Sequence, residues 1–104
     1  MNTFDFKDGN GPVPAHRHPY GGGWVAETAQ VDETVFVEDT ACVFEWAIIK
    51  DNTQIWDFAQ IRGNASIIGN SIIRDRVRIG GNVTIKDTEV AGRGFLTGDL
   101  YIGK

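Results

Sequence analysis

Four kinds of side chain in this chain of 104 residues have the types and spacing for chemistry: two histidines, one cysteine, a series of acids, and aromatics near arginines. His16 and His18 stand as His-x-His, which is two ligands of a zinc site with no third at a suitable spacing. They are read as hydrogen-bonding groups of the N-terminal segment. A metal site survives only if several chains pool their histidines. Cys42 would need a neighbouring base to become a nucleophile, and no sequence pattern supplies one. Being single, it makes no internal disulfide. The acids Glu27, Glu33, Asp39, Glu45, Asp51, Asp57, Asp75 and Asp87 share one repeated position, where turn hydrogen bonding explains them better than paired-carboxylate catalysis. "GGGW" and "GRG" are too short for a phosphate loop, and no Lys-Ser/Thr follows. The expectation is no catalytic residue, no metal and no cofactor.

The elements that carry these residues follow from a period of six. Val25, Val31, Val37, Val43, Ile49, Ile55, Ile61, Ile67, Ile73, Ile79 and Ile85 occupy successive sixth positions. Four residues after each comes a mostly small one: Ala29, Val35, Ala41, Ala47, Thr53, Ala59, Ala65, Ser71, Val77, Val83. The small residue and the next aliphatic one are two apart, so on a short strand they share a face. Gly63-Asn64, Gly69-Asn70 and Gly81-Asn82 mark tight corners, where these residue types tolerate left-handed backbone angles. A six-residue unit cannot bury its own apolar face, whereas stacked coils can. Strands then pair from coil to coil at roughly 4.8 Å.

The run "VEDTAC-VFEWAI-IKDNTQ-IWDFAQ-IRGNAS-IIGNSI" resembles the hexapeptide repeat of left-handed parallel β-helices, such as acyltransferases and γ-class carbonic anhydrases. The resemblance covers residues 25–85 and implies an all-β triangular solenoid of about four coils, with 18 residues in each. The leader "HRHPYGGGWVA" resembles one that precedes such repeats in small phage and prophage proteins. Enzymes of that fold use histidines within or between coils. None occurs in residues 25–104, so their catalytic residues do not carry over.

With 18 residues to a coil, the stacking of the stretch "VFEWAIIKDNTQIWDFAQ" can be read. Phe44, Trp46, Trp56 and Phe58 take outward or corner positions that elsewhere hold small polar residues. Phe44 comes to lie under Arg62, Trp56 under Arg74 and Phe58 under Arg76. Exposed aromatics and arginines are enriched at interface centres, and four such rings make a large apolar patch for a monomer. After Ile85 the unbroken period would bury Glu89, which is costly for an unpaired carboxylate. Dropping one residue places Val90, Leu96 and Ile102 inside, with Thr88, Gly94 and Leu100 as companions. Phe95 and Tyr101 then face outward and join the expected interface. The final coil is expected to present an open strand edge.

Residues 1–24 lack the period and are expected to cap the solenoid of residues 25–104, with Trp24 closing the end of its core. Net charge is −4. Residues 1–60 carry three Lys/Arg against ten Asp/Glu, or −7, and residues 61–104 carry +3. This is an axial charge asymmetry suited to association. No apolar run spans a bilayer and no signal peptide is evident, so a cytoplasmic protein is expected, in the host cell if phage-encoded. The functional expectation is a non-catalytic protein–protein interaction module that self-associates. Its sharper form is an inhibitor of a host defence complex, of the anti-CRISPR kind. An acyltransferase-like enzyme with a site between subunits and a structural virion component are the competing classes. Nucleic acid is disfavoured by the acidic corners.

Overall fold

Each six-residue unit becomes one short strand and one corner. The structure, a computed structural model, describes residues 2–103, and every regular element in it is a strand. Three sheets form the walls of a parallel β-solenoid of about four turns. The first contains β3 (Trp24–Ala26), β6 (Cys42–Val43), β9 (Gln60–Ile61), β12 (Arg78–Ile79) and β15 (Phe95–Leu96). The second contains β4 (Gln30–Val31), β7 (Ile48–Ile49), β10 (Ser66–Ile68), β13 (Thr84–Lys86) and β16 (Tyr101–Gly103). The third contains β5 (Phe36–Val37), β8 (Gln54–Ile55), β11 (Ile72–Ile73) and β14 (Glu89–Val90).

Two kinds of corner turn the chain. In the first coil the Thr28, Thr34 and Thr40 hydroxyls donate to the carbonyls of Glu45, Asp51 and Asp57, one coil on. From Glu45 onward the third residue of each unit takes positive φ, as in Asp51 (66°), Asp57 (58°) and Asp75 (64°). Where that residue is acidic, its side chain accepts from a corner of the next coil, except Asp87, which accepts from Asn70 N in the coil before. Asp51 Oδ2 accepts from Gly69 N at 2.9 Å, and Asp57 Oδ2 accepts from Asp75 N at 3.0 Å. Where coils approach too closely for a side chain, glycine fills the position. A Cβ on Gly63 would lie 2.7 Å from Gly81 N, and one on Gly81 would lie 2.5 Å from Gly98 N.

The sixth positions fill the interior. All are buried except Val31, which is partly buried in the first coil. Two small companions are polar, and both are satisfied by corner carbonyls. The Thr53 hydroxyl donates to Lys50 O at 3.0 Å and the Ser71 hydroxyl to Ile68 O at 2.9 Å.

The register slip is present. Neighbouring coils pair with an offset of 18, as in Cys42↔Gln60 and Val43↔Ile61. From β14 the offset is 17, as in Ile72↔Glu89 and Ile73↔Val90. Val90, Leu96 and Ile102 therefore pack on the core, and Glu89 faces solvent with its carboxylate 2.6 Å from Arg74 Nε. Leu100, expected as an inward companion, remains exposed because no later coil covers it among the described residues.

The N-terminal segment differs from the expected end cap. β1 (Thr3–Asp5) and β2 (Pro12–Arg17) form an antiparallel hairpin, and β2 pairs antiparallel with β3, so the hairpin prolongs the first sheet. Trp24 does not close the core. It is outward on β3, because the inward position belongs to Val25, and it stacks on Phe4 at 4.8 Å. Residues 18–23 do cover part of the first coil: Val37 N donates to Tyr20 O, and Gly23 N donates to Val37 O.

Ile61→Asp is expected to bury an unpaired charge between two rungs and cost several kcal/mol. At about 4–8 °C per kcal/mol for a domain of this size, melting followed by circular dichroism will drop by tens of degrees. A variant within a few degrees of wild type contradicts the inward ladder. Glu89→Ala removes only an exposed ion pair and is expected to change stability by less than about 0.5–1 kcal/mol. A large gain would mean that the carboxylate is buried.

Candidate functional site

Stacking at a fixed offset turns each outward position into a column running up the solenoid. On the first sheet one column reads Trp24, Cys42, Gln60, Arg78, Phe95, as the strand pairings give it. Beside it run Ala26, Phe44, Arg62 and Gly80. At the corner before these strands stand Phe58, Arg76 and Arg93.

The lower half of this face is covered by the chain itself. Phe4 stacks on Trp24, Phe6 meets Phe4 edge-on at 4.8 Å, and Phe6 stacks on Phe44 at 4.7 Å. Rings on the hairpin reach rings on β3 and just past β6, so the hairpin bends over the outer face. Ala15 and Ala26, both buried, leave it room. Arginines close both ends of the ring series: Arg17 lies 4.6 Å from the Trp24 centroid and Arg62 lies 5.4 Å from Phe44. The expected interface thus loses one member. Phe44 does point outward, yet it is only 1% exposed, because Phe6 covers it.

The upper half is open. Phe58 is 51% exposed and Phe95 58% exposed, and Arg76 lies over the Phe58 ring at 4.8 Å. Arg78 and Arg93 complete a strip that encloses two shallow grooves of about 380 and 400 Å³. Arg62 borders the same strip, since it and the Phe95 ring both lie against Gly80. Arg76, Arg78 and Arg93 have no carboxylate within ion-pair distance among the described residues.

The other expected residues lie elsewhere. Trp56 belongs to the third sheet's side, where it packs on Phe36 at 4.4 Å and donates from Nε1 to Gln54 Oε1 at 2.9 Å. Arg74 does not stack on Trp56. It pairs with Glu89 at 2.6 Å and Asp75 at 3.1 Å, because the slip brings Glu89 within its reach. Tyr101 is exposed on the second sheet. Trp46 stands at the far corner of the first sheet, 61% exposed. It forms the wall of a groove of about 440 Å³ between hairpin and solenoid, floored by Phe6, Val13 and Phe44 and rimmed by Asp8, Glu27 and Glu45.

The sequence reading missed Arg78, Arg93 and this groove. The first two follow from carrying the columns through the slip, from Gln60 to Arg78 and from Arg76 to Arg93. The groove depends on the hairpin's fold-back, for which no periodic signal exists.

The two histidines are each held by a local partner. His16 Nδ1 lies 2.8 Å from Glu27 Oε2, whereas buried His18 places Nε2 2.7 Å from Val35 O. Among the described residues no three His, Cys, Asp or Glu side chains are grouped to hold a metal ion. Burial pushes the Cys42 thiol up to about 12, so it is overwhelmingly protonated at neutral pH. No described helix is long and apolar enough to cross a membrane. Comparisons of the chain with protein-family models, with curated proteins and with solved structures find no match.

His18 yields a pH prediction. Burial lowers its pKa from the ordinary 6.5, against the opposing hydrogen bond to Val35. The folded state therefore binds fewer protons than the unfolded state. The neutral ring's contribution is fully present above about 6.5 and is lost as pH falls below it. Melting temperature is expected to fall between pH 7.5 and 5.5, and to fall less in His18→Gln. Equal falls in both proteins would remove His18 as the cause.

Proposed function

We propose that the chain is a non-catalytic protein-interaction module whose working surface is the outer face of the first sheet. One observation carries this reading: the lower half of that face already binds protein, namely the chain's own hairpin, through stacked rings flanked by arginines. The upper half presents the same chemistry uncovered, in Phe58, Phe95, Arg76, Arg78 and Arg93. Aromatic and arginine side chains are enriched among the residues that carry binding energy at protein interfaces, and the β-scaffold fixes the backbone beneath these ones, so that binding need order only their side chains. Asp57 and Asp75, which line the groove beside Arg76, would repel a nucleic-acid backbone.

A finer reading draws on the resemblance of repeat and leader. In it the chain is a hexapeptide-repeat, left-handed β-helix protein of phage or prophage origin. It acts in the host cytoplasm on a defence complex, in the manner of an anti-CRISPR protein. Compact size and a strongly patterned surface suit such a role.

Phe58→Ala with Phe95→Ala is expected to preserve the β-rich spectrum and the melting temperature within a few degrees. Loss of two hot-spot rings should weaken association, with itself or with a captured protein, on the order of a hundredfold or more. Sedimentation and affinity capture, comparing wild type with the double variant, measure this. Identical binding by the two proteins sinks the assignment of the face.

A further inference from the structure

We infer that the partner of this face is a second copy of the chain, with the arginine strip of one protomer seated in the acidic, aromatic-floored groove of the other. The inference rests on the interaction reading above and names its occupant.

The two surfaces are complementary and lie at opposite ends of the same sheet. The groove belongs to the β3 and β6 rungs, and the strip to the β12 and β15 rungs. Their charges follow the division of the sequence, −7 for residues 1–60 and +3 for residues 61–104. A chain of net charge −4 repels its copy on average, so only an arrangement that sets the acidic half against the basic half is attractive. A two-fold axis that brings groove to strip makes the contact twice, as an isologous interface requires.

The groove also lacks what the strip has to offer. Every outward ring of the first sheet that meets an arginine does so within this chain: Arg17 with Trp24, Arg62 with Phe44, Arg76 with Phe58. Among the described residues Trp46 is the most exposed ring and has no such cation over it. Of the groove's acids, Glu45 meets Arg62 at 3.2 Å and Glu27 meets His16 at 2.8 Å, whereas Asp8 is held by Asn10 and lies against the Glu45 carboxylate, with no cation in ion-pair distance among the described residues. A guanidinium from a second copy would lie over Trp46 and face Asp8 and Glu27, replacing solvent at both. Arg78 and Arg93 have the matching deficit: among the described residues no carboxylate lies within ion-pair distance of either.

Charge reversal tests this pairing. One variant carries Asp8→Lys with Glu27→Lys, and the other carries Arg76→Glu with Arg93→Glu. Wild type should sediment as a dimer at concentrations of about 10–100 μM in low salt, and dissociate as salt shortens the screening length from about 10 Å towards 3 Å. Each reversed variant alone should dimerise at least about a hundredfold more weakly. An equimolar mixture should recover a heterodimer, since opposite charges then face each other at both contacts, reversed at one and as in wild type at the other. Circular dichroism checks that each variant is folded. If a reversal unfolds the chain, Arg76→Gln with Arg93→Gln replaces it and must weaken the dimer alone. Reversed variants that dimerise like wild type overturn the pairing, as does a mixture of folded variants that remains monomeric. A monomeric wild type also overturns it. If that monomer captures a protein in a Phe58- and Phe95-dependent manner, the interaction function stands with a foreign partner. If capture does not depend on those rings, both readings fall.

Discussion

Coil-to-coil hydrogen bonding sets the height of every rung, and the rest of the molecule is a consequence of that spacing. Backbone amides of one coil donate to carbonyls of the next all the way up, from Gln30 N to Ala47 O through Thr84 N to Leu100 O. Strands paired in this way stand roughly 4.8 Å apart. An isoleucine ladder fits this height because each side chain packs on the one below. A corner must close within the same height, which is why an aspartate or glycine with positive φ recurs there. Thr53 and Ser71 are tolerated inside because corner carbonyls sit beside them. The same spacing aligns outward residues into columns, so any surface property is written along the stack rather than around a coil.

The legibility of the sequence follows from that regularity. The ladder, the corners and the coil length could be read because one physical demand repeats at a fixed interval. The slip at Glu89 was readable because an unpaired carboxylate has no place in such a core. Two of three ring–arginine stackings, Phe44 with Arg62 and Phe58 with Arg76, followed from coil length alone. The third failed because the slip that exposes Glu89 also brings it to Arg74, and a charge-assisted hydrogen bond outweighs stacking at an exposed ring. The N-terminal hairpin was opaque. "MNTFDF" shows a strand at most, and nothing local tells that Phe4 and Phe6 will lie on Trp24 and Phe44. Burial of Phe44, and with it the groove beside Trp46, is a tertiary outcome without periodic trace.

The functional reading therefore stands on an internal comparison. The first sheet's outer face is one surface with two halves of like chemistry, one satisfied intramolecularly and one open. The ladder positions from Val37 to Ile85 are already buried. Exposed rings outside that buried ladder, placed beside arginines with no ion pair among the described residues, are costs unless something binds them. The two reactive candidates, Cys42 and the histidines, are accounted for structurally. Cys42 is a partly buried thiol packed against the rings behind the hairpin, and the two histidines are hydrogen-bonded at the solenoid's first coil.

Hydroxyl-radical footprinting with mass spectrometry tests most directly whether this face is the working surface. Oxidation of Trp46, Phe58, Phe95 and Tyr101 would be compared in dilute and concentrated protein, and again with any captured partner. Protection of Phe58 and Phe95 on association, with Tyr101 on the second sheet labelled as before, is the predicted result. Protection of Tyr101 with Phe58 and Phe95 unchanged would place the interface on another wall of the solenoid and contradict the account.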